Sequence, residues 1–214
     1  METDQLVARL GERGFTGARG APDALLLDRT ERGPARAFLW RPSAWLLECL
    51  PHLPRTGRAL DVATGSGRNA VALALHGVSV WGIDLLPDAL ERARRLTEGA
   101  SSIAVAGPCA FAVVDATLSL PFRDRSLDVV MGFRYLDRAL FPRLAALLVP
   151  GGFLVWETFT VEQRRFGPPH RDEYLLERDE LAELCRSAGL ELVRHHESAE
   201  PPGPALAAVL ARRF

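Results

Sequence analysis

Short apolar runs alternate with amphipathic stretches along the chain from residue 58 to residue 159. The runs are apolar on successive positions, which is typical of strands that are buried under helices on both faces. The stretches between them have helical periodicity, so the alternation predicts a mostly parallel sheet with helices on both sides. The predicted strands are 59–63, 78–84, 111–115, 127–133 and 153–159. The predicted helices between them are 69–77, 87–99 and 140–152.

The C-terminal part of the chain has a different order of helices and strands. The amphipathic run ELAELCRSAGL predicts a helix that begins at Glu180 and is ended by Gly189, and two strands, 190–197 and 205–214, follow it. The link SAEPPGP between these strands is too short for a crossover helix, so the two strands are predicted to pair in antiparallel fashion. We therefore expect one α/β domain of the Rossmann-like, doubly wound type, with a mostly parallel seven-stranded sheet and a C-terminal antiparallel strand pair.

The N-terminal segment is predicted to cover this domain without forming a second one. Helical patterns over 2–13 and 42–50 are separated by a stretch with scattered Gly, Pro and Arg, which indicates irregular structure. We assign 1–57 to a helical cover or lid and 58–214 to the main domain. The run GASSIAVAGP, residues 99–108, is predicted to be a loop.

Composition excludes several classes of function. The formal net charge is -1, which gives no general attraction for nucleic acid or anionic lipid. All 26 basic residues are Arg, so a Schiff-base lysine and a phosphate-loop lysine are excluded. The 3 cysteines are far apart and indicate neither disulfides nor a metal site. The polar N-terminus and the lack of a long apolar run predict a cytoplasmic protein that does not enter a membrane.

A glycine-rich loop follows the first predicted strand, in the run DVATGSGRNA. The letters GSGRNA fit the Gly-x-Gly-x-x-Gly/Ala fingerprint of nicotinamide-cofactor enzymes, and Gly65 and Gly67 allow a tight turn close to a ligand. In that fingerprint the first glycine directly follows an apolar strand, whereas here Asp61 stands four residues before Gly65. A carboxylate at this position suits a cationic ligand better than a pyrophosphate.

Two more carboxylates follow the next two strands of the predicted sheet. Asp84 ends the second strand, 17 residues beyond Gly67, where a carboxylate accepts hydrogen bonds from a ribose diol. Asp115 closes the third strand and suits the exocyclic amine of adenine, with the N–H of Ala116 beside it for a ring nitrogen. Because the carboxyl ends of parallel strands share one edge, this row of Asp side chains fits an amino acid joined to an adenosine. The alternative is that each Asp caps the helix after its strand.

With these features, residues 40–214 resemble the class I S-adenosylmethionine-dependent methyltransferases. Four pieces carry the resemblance: ALDVATGSGRNA with GID at the next strand end, VVDATLSLPFRDRSLDVVMGF, LLVPGGFLVWET, and the closing strand pair. The resemblance implies S-adenosyl-L-methionine as the cofactor and methyl transfer as the reaction. Within the family, GSGRNAVALALHGVSVWGIDLLPDAL is most similar to small bacterial methyltransferases related to tellurite-resistance proteins.

The resemblance also implies roles for single residues around the cofactor. The implied contacts are Asp61, Gly65 and Gly67 at the methionine end, Asp84 at the ribose, Leu85 on the adenine face, Asp115 and Ala116 at the adenine edge, and Phe133 near the methyl group. Ala63 stands where the family usually has a glycine, so the loop is expected to lie slightly farther from the cofactor. In the cover segment, Trp40, Arg41 and Trp45 are predicted to close over the cofactor, with Arg41 reaching its carboxylate.

The methyl acceptor is expected to meet residues after the fourth and fifth strands. In FRYLDR, Arg134 and Tyr135 suit an anionic acceptor because they offer charge-assisted hydrogen bonds. Glu157, at the end of the fifth strand, and His170, in the loop FGPPHRDE, are the candidate general bases. Since nearly all of the chain is assigned to the cofactor domain, we expect a small-molecule acceptor that is anionic or soft, such as a thiol or a chalcogen oxyanion. We expect no nucleic acid partner, and a monomer or a homodimer.

Two other functions fit part of the pattern. A NAD(P)-dependent oxidoreductase shares the glycine-rich loop and the ribose carboxylate, but it predicts a sixth parallel strand and no acidic residue at position 61. A non-catalytic protein of the same fold, which binds the cofactor without transferring its methyl group, also fits the composition. The orientation of the last strands tests the first alternative, and turnover tests the second.

Overall fold

The computed structural model describes residues 41–100, 107–199 and 203–214. The predicted helix 2–13, the irregular stretch after it and Trp40 lie outside the described residues. The α-helices are α1 (Ala44–Cys49), α2 (Arg68–His76), α3 (Pro87–Ala100), α4 (Phe141–Leu147) and α5 (Glu180–Ser187). The strands are β1 (Arg58–Val62), β2 (Ser79–Asp84), β3 (Cys109–Val113), β4 (Leu127–Phe133), β5 (Leu148–Phe159), β6 (Leu190–Ser198) and β7 (Leu206–Arg213). Short 3₁₀ helices cover Leu50–His52, Arg138–Leu140, Val161–Arg165 and Asp172–Tyr174.

All these strands belong to one sheet of seven, in the order β3-β2-β1-β4-β5-β7-β6. β1 to β5 are parallel to their neighbours in this group, and β7 is antiparallel to both β5 and β6. The predicted doubly wound α/β fold with a C-terminal antiparallel strand pair is therefore confirmed. The strand order reverses between β1 and β4, and a ligand crevice opens at such a reversal, beyond the carboxyl ends of the strands.

Helices cover both faces of the sheet and create two hydrophobic cores. On one face, α1 and α2 contribute Leu46 and Leu73, and on the other face α4 contributes Phe141. Neighbouring strand residues face opposite cores, as Val130 and Met131 do, which explains why the strands are apolar on successive positions. Among the described residues, no helix is both long enough and apolar enough to cross a membrane.

The boundary between α4 and β5 differs from the sequence prediction. The helix predicted over 140–152 ends at Leu147, because Leu148 already pairs with Leu127 as the first residue of β5. Pro150 removes a backbone donor and Gly151 has a positive φ of 84°, so neither residue suits a helix. The run Leu-x-Pro-Gly-Gly thus forms an irregular first part of a long strand.

The observed ends of α3 and β3 also differ from the sequence prediction. The helix predicted over 87–99 extends one residue further, to Ala100, and residues 101–106 of the loop predicted over 99–108 lie outside the described residues. β3 ends at Val113, two residues earlier than predicted, so Asp115 lies in the turn beyond the strand and does not close it.

Candidate functional site

The glycine-rich loop lies at the crevice, between β1 and α2. Ala63, Gly65 and Gly67 have positive φ values of 53°, 57° and 76°. A Cβ atom at Gly67 would come within 2.7 Å of the Cβ of Ala93 in α3, so this position requires glycine. The loop therefore turns sharply and leaves the first N–H groups of α2 at the crevice.

Asp61 is buried near the carboxyl end of β1, with 1% of its surface exposed. The hydroxyl of Thr64 donates a hydrogen bond of 2.6 Å to its Oδ2. Burial raises the pKa of Asp61 to about 7, and the charge of Asp84 acts in the same direction, while Thr64 and Arg68 oppose the rise. A carboxylate whose ionised form is this poorly stabilised by the protein is well placed to bind a cationic group.

Asp84 ties the glycine-rich loop to the neighbouring strand. Its Oδ2 accepts a hydrogen bond of 2.8 Å from the N–H of Gly65, and its Oδ1 accepts one of 2.9 Å from the N–H of Leu86. The second bond is a capping contact just before α3, whereas the first links two strand ends across the crevice. Leu85 is 56% exposed and adds an apolar surface to this rim.

Asp115 is half-buried, in the turn after β3. Its Oδ1 accepts hydrogen bonds from the N–H of Thr117 at 2.9 Å and from the Thr117 hydroxyl at 2.6 Å. These bonds lower the pKa of Asp115 below its usual value, so the group is ionised at neutral pH. Asp115 thus stabilises a turn at the carboxyl edge of the sheet, with Ala116 half-buried beside it.

At the end of β4, the side chain of Arg134 is held in place by its neighbours. Arg134 follows β4 with a positive φ of 62°, and its N–H donates to the carbonyl of Glu157 at 2.8 Å. Its guanidinium carbon lies 4.6 Å from the centre of the Phe159 ring, and its Nε lies 3.5 Å from Oε1 of Glu157. The side chain is still 33% exposed, so an anion in the crevice can reach it.

Glu157 belongs to a buried polar network that sequence reasoning missed. Its Oε2 accepts a hydrogen bond of 3.0 Å from the hydroxyl of Ser43, and the N–H of Ser43 donates to Oδ1 of Asn69 at 2.8 Å. The network joins the starts of α1 and α2 to the end of β5. Ser43 lies 26 residues from Asn69 and 114 from Glu157, so no local pattern predicts these contacts. The available signal was Ser43 as an N-cap before the apolar run AWLLEC.

Arg68 is a second residue that the sequence analysis did not single out. It is the first residue of α2, and its Nη1 donates to the carbonyl of Arg41 at 3.3 Å. Burial and the charge of Arg134 lower the pKa of Arg68, whereas Glu157 and Asp61 raise it. Arg68 therefore lies among the charged groups of both halves of the crevice. A basic residue directly after the last loop glycine was the signal in the sequence.

Phe133 and Tyr135 precede and follow Arg134 along the chain. Phe133 is 7% exposed and packs in the core beneath the crevice. Tyr135 is half-buried, with its ring centre 6.4 Å from that of Trp156. Burial, followed by the charges of Asp137 and Asp115, raises the pKa of Tyr135, so its hydroxyl stays protonated at neutral pH and acts as a hydrogen-bond donor.

His170 is exposed in the loop after β5. Its carbonyl accepts a hydrogen bond of 3.3 Å from Nε of Arg164. The arginines of this loop pair with carboxylates, Arg164 with Asp172 and Arg171 with Glu173. Within the part of the chain that the structure describes, no hydrogen bond or ion pair joins His170 to the acidic or basic groups of the crevice.

Three potential metal ligands meet elsewhere, at the edge of the sheet. Asp179, His195 and Glu197 each bring one ligand atom within 4.8 Å of the others, between the start of α5 and the edge strand β6. All three are exposed or half-buried, and exposed groups of this kind are common without an ion. We therefore assign no metal to them.

Comparison with known proteins agrees with the fold. Residues 59–152 match the family model of a methyltransferase domain. A SAM-dependent methyltransferase of Methanosarcina mazei is 22% identical, with a TM-score of 0.59, over 77% of this chain and 95% of that one. One from Mesorhizobium loti is 20% identical, with a TM-score of 0.59, over 79% and 98%.

A third structural neighbour contains a bound product. Magnesium protoporphyrin IX methyltransferase from Synechocystis, with bound SAH, is 16% identical, with a TM-score of 0.62, over 79% of this chain and 80% of that one. No curated protein sequence matches the chain. At these levels of identity the structural neighbours establish the fold alone.

Proposed function

We propose that the chain, whose residues 59–152 match a methyltransferase domain, uses S-adenosylmethionine to methylate a small-molecule acceptor. The observation that carries this proposal is the buried carboxylate of Asp61 beside the glycine-rich loop. A pyrophosphate at this loop would bring an anion towards a buried carboxylate, which is unfavourable. The site therefore favours a ligand with a cationic amino-acid end over NAD.

The amino-acid end of S-adenosylmethionine has an ammonium and a carboxylate on the same carbon, so its site needs an anion and a cation close together. Asp61 and Arg68 are such a pair, because the charge of each favours the charged form of the other. We assign the ammonium to Asp61 and the carboxylate to Arg68. Arg41, predicted from the sequence for the carboxylate, lies beside Arg68 through its backbone carbonyl.

The adenosine end fits the other two carboxylates. Each oxygen of Asp84 accepts one backbone hydrogen bond, and a carboxylate oxygen can accept a second one from a ribose hydroxyl. Asp115 is ionised and suits the exocyclic amine of adenine, with the N–H of Ala116 for a ring nitrogen. The exposed side chain of Leu85 offers an apolar surface for the adenine ring.

The chain's task in the reaction is to position the reactants and exclude water. When bound, S-adenosylmethionine supplies a methyl carbon that leaves its sulfur, with the bonding electron pair staying on sulfur, as the acceptor attacks in line. Asp61 and Arg68 hold one end of the cofactor, and Arg134 and Tyr135 hold the acceptor. Phe133 forms part of the apolar wall below them.

The proposed acceptor is anionic or soft, a thiol or a chalcogen oxyanion, as the resemblance to the tellurite-resistance type suggests. For an acceptor that must lose a proton, the sequence offers Glu157 and His170 as candidate bases. Trp45, predicted to close over the cofactor, is instead buried in the core, where its Nε1 donates a hydrogen bond of 3.0 Å to the carbonyl of Val209 in β7. We also propose that the protein acts in the cytoplasm as a monomer or a homodimer.

Isothermal calorimetry with S-adenosylhomocysteine and with NAD tests the cofactor. We expect the thioether product to bind and NAD not to bind; NAD binding without a response to S-adenosylhomocysteine would reverse the assignment. Methyl transfer from labelled S-adenosylmethionine to a panel of thiols, oxyanions and small metabolites then tests catalysis. Cofactor binding without transfer to any member of the panel would favour the non-catalytic alternative.

A further inference from the structure

The orientation of Arg134 depends on two neighbours that approach its guanidinium from different directions. The ring of Phe159 supports one face, at 4.6 Å from the guanidinium carbon, and Oε1 of Glu157 lies on the Nε side, at 3.5 Å. Among the described residues, no group accepts a hydrogen bond from the two terminal nitrogens. These nitrogens are therefore free to bind a ligand, and the 33% exposure of the side chain leaves them accessible.

Glu157 is itself engaged on both oxygens. The hydroxyl of Ser43 donates to Oε2 at 3.0 Å, and Oε1 faces Arg134. Only 6% of its surface is exposed. A general base needs an oxygen that reaches the proton it removes, and both oxygens of Glu157 are directed to protein groups.

We propose that Glu157 is a positioning residue: together with Phe159, it holds the guanidinium of Arg134 so that its two terminal nitrogens bind a two-oxygen anionic group of the acceptor. This inference rests on the proposed function, since the acceptor is the methyl acceptor of that reaction. It replaces the role of Glu157 as a base and names the group by which the acceptor is recognised.

A carboxylate or a tetrahedral oxyanion fits such an arrangement, because the planar fork of an arginine forms two parallel hydrogen bonds with two oxygens on one atom. The fixed side chain has already lost its rotamer freedom, so less entropy is lost when the anion binds. The negative charge of Glu157 acts in the opposite direction, because it repels an anion. Replacing Glu157 should therefore weaken anion binding if the residue positions Arg134, and strengthen it if only the negative charge matters.

The experiment titrates benzoate into the full chain, with S-adenosylhomocysteine present and without it, and follows calorimetric heat and the Nε–H signals of the arginines. The signal that disappears in Arg134→Gln identifies Arg134. Phenylphosphonate replaces benzoate in a second arm as a tetrahedral oxyanion, and neutral benzamide replaces it in a third. The matched control for loss of a carboxylate is Glu162→Gln, since Glu162 pairs with Arg165 on the surface nearby.

We expect benzoate or phenylphosphonate to bind and to shift the Arg134 signal, benzamide not to bind, and Arg134→Gln to abolish binding. Glu157→Gln should weaken binding about tenfold and broaden the Arg134 signal, because the guanidinium loses its fixed orientation. Glu157→Asp keeps the charge but has a shorter side chain, so it should also weaken anion binding. It replaces Glu157→Gln in the experiment if the Gln variant does not fold. Glu162→Gln should bind like the wild type.

Equal or tighter anion binding by both Glu157 variants would overturn the positioning role. Binding of benzamide as strong as that of benzoate, or no binding of either anion, would overturn recognition of the two-oxygen group. Binding of an anion through Arg134 in a chain that does not bind S-adenosylhomocysteine would overturn the proposed function and leave the anion site standing. Binding of S-adenosylhomocysteine by a chain that binds neither anion would overturn the anion site alone.

Discussion

The hydroxyl of Thr64 donates a 2.6 Å hydrogen bond to the carboxylate of Asp61 in a place where both side chains are buried. One hydroxyl replaces only part of the hydration that a carboxylate has in water. Burial therefore dominates, and the pKa of Asp61 rises to about 7. The carboxyl group therefore changes its charge near neutral pH, and a bound cationic ligand stabilises its ionised form.

The first prediction is that binding of S-adenosylhomocysteine depends on pH through Asp61. Below pH 7 the carboxyl is protonated and must lose its proton to pair with the ammonium, so affinity should fall about tenfold per pH unit and level off above pH 8. Calorimetry between pH 5.5 and pH 8.5 measures this slope. In Asp61→Asn the slope should disappear with most of the affinity; an equally steep slope in the variant would assign the titration to another group.

The second prediction concerns the stability of the ligand-free protein. The folded pKa of Asp61, about 7, lies above the ordinary value of 3.8, so stability decreases as pH rises through this window and stays low above it. Asp61→Asn should raise the free energy of unfolding at pH 8 by about 2–4 kcal/mol and by less at pH 5. Urea unfolding at both pH values measures the difference. Asp88→Asn, an exposed control in the first turn of α3, should change the free energy of unfolding at neither pH. If Asp61→Asn raised the free energy of unfolding as much at pH 5 as at pH 8, the linkage to the pKa of Asp61 would be wrong.

The third prediction concerns Asp84, which holds the N–H of Gly65 and is the proposed ribose ligand. Asp84→Ala should cost about 1–3 kcal/mol of S-adenosylhomocysteine affinity, because it removes a charged acceptor from both the loop and the ribose. Asp84→Asn retains one acceptor oxygen and should lose less. Calorimetry compares the variants with Asp88→Ala, the exposed control. Unchanged affinity in a folded Asp84→Ala protein would mean that Asp84 does not bind the ribose and has only a structural role, such as its capping contact with the N–H of Leu86.

The fold could be predicted from local patterns because parallel strands between helices are apolar on both faces and are separated by helical periodicity. The strand-end carboxylates followed from the same reasoning, since Asp61 and Asp84 lie within β1 and β2 near their carboxyl ends. Asp115 was placed two residues too near its strand, because the apolar run FAVV continues past the last ladder pair at Val113.

The surroundings of Arg134 could be predicted only in part. Arg134 follows from its position after β4, but its left-handed backbone does not, since such a conformation is rare for residues other than glycine. The contact between Ser43 and Glu157 joins residues that are 114 positions apart, and tertiary packing alone creates it. Local pattern therefore placed the strand-end carboxylates, and it missed the contacts of Ser43 and Glu157 next to Arg134.

The fourth prediction concerns Ala63, which has a φ of 53° where a side chain is disfavoured. Ala63→Gly removes the clash of the Cβ atom, about 1–2 kcal/mol, and adds about 0.5–1 kcal/mol of unfolded-state entropy, so a net gain of up to about 1 kcal/mol is expected. Thermal unfolding measures it. Ala110→Gly in β3, at an ordinary strand position, is the matched control and should lose stability. A loss at both positions would mean that the loop is not strained.

The fifth prediction separates the amino-acid end of the cofactor from its adenosine end. Arg68→Gln should lower affinity for S-adenosylhomocysteine about ten- to a hundredfold, the loss of about 1.5–3 kcal/mol for one charged hydrogen bond to the carboxylate. 5′-Methylthioadenosine has the same adenosine and no amino acid, so its affinity should not change. Calorimetry of both ligands on the wild type, Arg68→Gln and Arg95→Gln, an exposed control in α3, measures the contrast. Equal losses for the two ligands would mean that Arg68 supports the fold of the loop and does not bind the carboxylate.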